Sequence, residues 1–94
     1  MKYIELQPLI DKASVLKGGN SEDIYTEIFQ SIEKASTLSM ARSLCVNIDT
    51  MCHPKAWGDR FTDDFEDIND WLNFLNQLSA LAVSCWENTL KNHS

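Results

Sequence analysis

Apolar residues return every three or four positions through most of the chain, and that period predicts helices throughout. The longest such series is Ile24, Ile28, Ile32, Ala35, Leu38, Ala41, Cys45, Ile48 and Cys52. It predicts either one helix of about 30 residues or two helices broken near Ser36 to Ser39. Asn20 and Ser21 are capping types, and Glu22 and Asp23 follow where negative charge suits the helix N-terminus, so the series starts there. Pro54 disfavours the α conformation for His53 and ends it. Ahead of this segment, Met1 to Gln7 read as a short arm. Pro8 then suits a first helical turn, and Leu9, Ile10, Ala13 and Leu16 make a short helix that Gly18 and Gly19 stop. Pro54 and Gly58 make His53 to Phe61 a turn. Thr62 reads as the N-cap of a last helix, with Asp63 and Asp64 in its first turn and Phe65, Ile68, Leu72, Leu75, Ala82, Trp86 and Leu90 along one face. Phe74, Leu78, Leu81 and Cys85 form a second apolar stripe beside the first, so this helix must touch two neighbours.

The fold class implied is all-α and the chain, residues 1 to 94, a single helical domain: an antiparallel long-helix hairpin with a short N-terminal helix laid in its groove, a three-helix bundle. Arms of about 30 residues extend roughly 45 Å, whereas a ten-residue first helix covers about a third of that length. Apolar surface is then left over, and a homodimer, or a groove that awaits a partner, is the expectation.

Charge sharpens the functional reading. Eight Lys+Arg stand against 14 Asp+Glu, a formal net charge of −6. Such a balance opposes direct nucleic-acid binding and attachment to anionic membranes, and it favours a basic protein partner. The imbalance lies mostly in the second half, where three basic groups face eight acidic ones. No apolar run approaches the roughly 20 residues of a membrane span. Three cysteines without framework spacing, and no signal-peptide pattern, read as a reduced cytoplasmic protein.

Cys45, Cys52, His53, Cys85 and His93 are the residues a metal site would draw on, but their spacing lacks the paired short loops of structural zinc sites. In an antiparallel hairpin Cys52 lies at the turn, while Cys85 lies about 22 residues along the other arm, roughly 30 Å away. Cys45 and Cys52 occupy apolar pattern positions and read as buried small hydrophobes. No catalytic residues are assigned, because neither histidine sits in a nucleophile, base and orienting-group arrangement. No cofactor is implied. Counting from Asp59, a calcium loop fails as well, since Asp64 stands where the sixth-position glycine belongs.

The candidate partner-binding residues are Asp59, Asp63, Asp64, Glu66, Asp67 and Asp70, against which only Arg60 is positive, together with Trp57 in the adjoining turn. On one helix, Asp63, Glu66, Asp67 and Asp70 would share an arc of about 100° turned away from the apolar stripe. Such a row is either a solvated face that suits the helix dipole or a docking surface for Lys and Arg. Trp57 either closes the hairpin end or anchors a partner, while Trp71 and Trp86 read as packing residues. A helical hairpin of this length with Trp57 and Gly58 at its bend is similar in outline to the small secreted WXG-type proteins. Trp57 and Gly58 are adjacent here, and the N-terminal helix falls outside that pattern, so no residue role is carried over. The leading expectation is a non-catalytic acidic protein that inhibits or sequesters a basic partner, such as a nuclease or nucleic-acid-handling complex, as immunity proteins and phage anti-defence proteins do. The alternative is a structural or adaptor module acting through homo-oligomerisation or helix-in-groove binding. A cysteine-based metal or redox sensor ranks third.

Overall fold

The computed structural model describes residues 3–59 and 65–93. Among them the chain is all-helical and forms four α-helices, α1 (Gln7–Ala13), α2 (Glu22–Lys34), α3 (Leu38–Met51) and α4 (Ile68–His93), with 3₁₀ turns at Ile4–Leu6, Ser14–Leu16 and Trp57–Asp59. The middle apolar series is therefore two helices. Ala35 turns to extended backbone, and the Thr37 hydroxyl accepts the Met40 N–H at 3.1 Å, which caps α3 and fixes the break. Ser21 stands at the N-cap position of α2 without a side-chain cap bond; the Glu22 carboxylate reaches back instead to the Gly18 N–H. Gly18 takes φ +82, a conformation that favours glycine and lets the chain reverse between α1 and α2.

The last helix starts later than its sequence suggests. Thr62, Asp63 and Asp64 lie outside the described residues, but Phe65 to Asp67 are bends and helix begins at Ile68. Asp67 is the cap, its carboxylate accepting the Asp70 N–H at 3.0 Å. A helix of 26 residues is about 39 Å long, and the molecule measures 40 × 21 × 17 Å, so α4 spans its full length.

Burial on α4 follows Trp71, Phe74, Leu75, Leu78, Ala82, Cys85 and Thr89. The buried arc is centred between the two stripes seen in the sequence, leaving Ile68 and Leu90 exposed and Leu72 and Trp86 half-buried. Two neighbours account for it. α3 packs along one side through Ala41, Leu44, Cys45 and Ile48, with Ser79 donating to the Asp49 carboxylate. The N-terminal segment packs along the other. Tyr3 meets His93 edge-on at 5.2 Å, Glu5 accepts from Asn92 at 3.1 Å and contacts His93 Nε2 at 3.0 Å, and Lys12 donates to Gln77. These contacts lay residues 3 to 12 antiparallel along α4 and bury Leu6, Leu9 and Ala13 completely. Met1 to Gln7 is thus not a free arm over its described part. Phe74, Leu78 and Cys85 of the second stripe are buried within the chain, with Lys12 over the Phe74 ring and Leu9 at the Cys85 level, and Leu81 stays half-buried. At the opposite end Gly58 is pressed on His53 and α4; a Cβ there would lie 3.0 Å from the His53 carbonyl oxygen and 3.2 Å from Leu72 Cδ2.

Candidate functional site

The described acidic residues gather at the N-terminal end of α4. Asp59 ends the 3₁₀ turn that leads out of the hairpin, and that turn is tied to α4 by the buried bond from the Trp71 indole N–H to the Trp57 carbonyl, 2.9 Å. Glu66, Asp67 and Asp70 follow, and all four carboxylate residues are exposed. They do not share one helical arc: Glu66 precedes the helix, Asp67 caps it and Asp70 lies in its first turn, where negative charge favours the helix end. Asp63 and Asp64 belong to the same stretch of sequence but lie outside the described residues. Among the described residues, neither Glu66 nor Asp70 has a basic partner.

Trp57 is 4% exposed and belongs to the core. Its burial, and the bond from Trp71 to its carbonyl, fit the role of closing the bundle end; a partner could touch its ring only after the turn opened. Phe65 takes the place that a surface aromatic beside the acids would have. It is half-buried, 5.3 Å from both the Trp71 and Phe74 rings, and it lines an open hollow of about 580 Å³ together with Val15, Glu66, Asp70 and Phe74. By its spacing Phe65 belongs to the helical stripe of α4, but the helix begins only at Ile68. The signal that could have found it is its position between two acidic pairs ahead of the Asp67 cap.

The cysteines are buried and free. Burial pushes the Cys45 thiol up to about 12, with the Cys85 thiol on the facing helix adding to the shift. Cys52 is also pushed up to about 12, by burial first and the Asp49 carboxylate second. Burial raises Cys85 too, against a hydrogen bond with the Leu9 backbone that lowers it. The antiparallel register thus places Cys45, not Cys52, beside Cys85. A hollow of about 150 Å³ brings Asp49, Cys52, His53 and Ser79 together, superficially a nucleophile set. Its electrostatics oppose that chemistry, since both burial and the Asp49 charge hold the thiol protonated, the reverse of what activates a cysteine. Among the described residues no three His, Cys, Asp or Glu side chains come together in a way that could hold a metal, and no helix is long and apolar enough to cross a membrane.

No family model, curated protein or solved structure matches this chain.

Proposed function

We propose that this chain is a non-catalytic binding protein that docks the acidic end of its bundle onto a basic protein and thereby sequesters or inhibits it. A nuclease or another nucleic-acid-handling protein is the class of target, because the surfaces such proteins use on phosphates are rich in Lys and Arg. This is the mode of action of immunity proteins and of phage anti-defence proteins. The observation that carries the reading is the cluster of exposed carboxylates Asp59, Glu66, Asp67 and Asp70 at one end of a chain with net charge −6. Complementary charge of this kind speeds encounter and rejects wrong partners. The raised thiols support a role other than covalent chemistry.

The test is to isolate the bound partner from cytosol at low salt and measure its affinity against ionic strength. Affinity should fall steeply as salt rises. The triple substitution Glu66→Gln, Asp67→Asn and Asp70→Asn should weaken it about tenfold or more, while Asn at 67 retains the helix cap. Affinity indifferent to both would remove the proposal.

A second reading, a homo-oligomeric adaptor, has an observation of its own. Val46 and Val83 are 54% and 47% exposed, and the bond between Ser79 and Asp49 puts them at one level of the α3–α4 pair; Leu90 at 46% and half-buried Trp86 continue the apolar side chains along α4. Sedimentation equilibrium separates the readings: a stable dimer lost on Val83→Asp would favour the adaptor.

A further inference from the structure

The hollow under Phe65 continues along α4. Lys12 and Gln77 line both this basin and a second of about 480 Å³ that runs past Ala80 and Leu81, so the bond between them bridges one groove along the α1 flank of the helix. The floor of the first basin is aromatic. Phe65 and Phe74 lie 5.3 Å apart with planes tilted by 42°, and Trp71 stacks behind Phe74 at 5.8 Å and 14°. The chain already sets one cation on this floor, with Lys12 Nζ 5.4 Å from the centre of the Phe74 ring. Glu66 and Asp70, both exposed, line the same basin as Phe65.

An aromatic face flanked by two carboxylates without a described basic partner is a specific chemical demand. A guanidinium meets both parts of it, because its plane stacks on a ring while its edge donates in parallel to carboxylate oxygens. A lysine ammonium meets the carboxylates but lacks the planar stack. Phosphate-bearing ligands are opposed by the balance of the lining, two carboxylates against the one Lys12 ammonium. The apolar continuation past Ala80 and Leu81 offers contact to hydrophobic neighbours of such an arginine in the same segment.

We propose that the groove between α1 and α4 is an arginine-reading docking site, which receives an amphipathic segment of a basic partner protein with one arginine laid on Phe65 between Glu66 and Asp70. This inference rests on the acidic-docking reading above and locates it.

The probes are two labelled synthetic helical peptides of equal length and charge, built from leucine with either arginine or lysine, titrated by fluorescence anisotropy at low salt. The arginine peptide should bind about three- to fivefold tighter than the lysine peptide, the scale of a partly exposed cation–π contact. Phe65→Leu should abolish that preference, weakening the arginine peptide more than the lysine peptide, which a merely destabilising change would not do. The pair Glu66→Gln and Asp70→Asn should weaken the arginine peptide about tenfold, and the charge-matched pair Glu27→Gln and Glu87→Gln, elsewhere on the surface, less than about threefold. Circular dichroism confirms that each variant is folded. Equal affinity for the two peptides, or no binding, would overturn the groove. So would equal losses from the two acid pairs, but that result, with a steep salt dependence, leaves docking by overall acidity standing; binding indifferent to salt and to both pairs removes that reading as well.

Discussion

Replacing Leu9 by alanine deletes three carbons from a side chain with no exposed surface, at the point where the N-terminal segment closes over α4. The transfer part of the cost is about 2.4 kcal/mol, at roughly 0.8 kcal/mol for each buried methylene. The void adds to it, because Leu9 sits between Leu6 and Ala13 on its own segment and the Cys85 level of α4, and none of these can collapse far into the space. A total of about 3 kcal/mol follows, inside the range of buried leucine truncations. A chain of this length is expected to be stable by about 5–14 kcal/mol, so the loss is a large share of the whole. At about 4–8 °C for each kcal/mol, Tm should drop by roughly 12–24 °C. Urea unfolding followed by circular dichroism and tryptophan fluorescence measures it, with Val15→Ala as the control: Val15 is 64% exposed and should cost under about 0.5 kcal/mol. Equal midpoints for Leu9→Ala and Val15→Ala would refute the packing of residues 3 to 12 on α4, and with it the closure of the Phe74, Leu78 and Cys85 stripe.

Three further outcomes follow. Native protein at pH 8 should react negligibly with a thiol-specific disulfide reagent and show three reactive thiols in denaturant, because all three cysteines are buried and Cys45 and Cys52 are pushed up to about 12; a rapid thiol in the folded state would contradict the register of α3 on α4. Trp71→Phe removes the donor to the Trp57 carbonyl inside the core, and a buried unpaired acceptor together with the lost ring volume should cost about 2–4 kcal/mol in chemical denaturation, whereas a loss under about 0.5 kcal/mol would show that the turn is not held this way. The Glu5 carboxyl is held below its ordinary value of 4.5, chiefly by a backbone hydrogen bond and further by Asn92 and His93. Its folded value being the lower one, its contribution is present above the unfolded value and lost as pH falls through the folded one. Glu5→Gln should therefore flatten the acid limb of the stability profile below about pH 5, and superimposable limbs would show that Glu5 carries none of it.

Which parts of this structure are legible in the sequence follows from the range of the forces involved. Ile24, Ile28 and Ile32 announce α2 because a single helical face repeats within its own span. The break after it was visible only as one of two options, and the Thr37 cap, a local bond, decided it. The start of α4 is ambiguous in the sequence because Thr62 followed by acids and Asp67 followed by Asp70 satisfy the same capping rule, and nothing local ranks them. Tertiary contact does, since with helix delayed to Ile68 the Phe65 ring folds back on Trp71 and Phe74. Residues Tyr3 to Leu6 are too few to show a period, so their packing on the far end of α4 is not legible in the sequence, and helix lengths alone overstate the apolar surface left over there. Trp57 carries the same lesson: sequence left burial and exposure evenly matched, and a long-range bond from Trp71 accompanies its burial. The acidic composition of the bundle end was plain from the outset, but the aromatic floor beside it was not, because it is assembled from Phe65 and a face of α4 that only the fold brings together.

Hydrogen–deuterium exchange on the chain bound to its isolated partner tests the docking claim most directly. Slowed exchange should concentrate at Asp59, from Phe65 to Gln77 and at the Lys12 to Leu16 end of the first helical segment. Protection confined to the Val46, Val83 and Leu90 side, with the acidic end exchanging as in the unbound chain, would contradict the account.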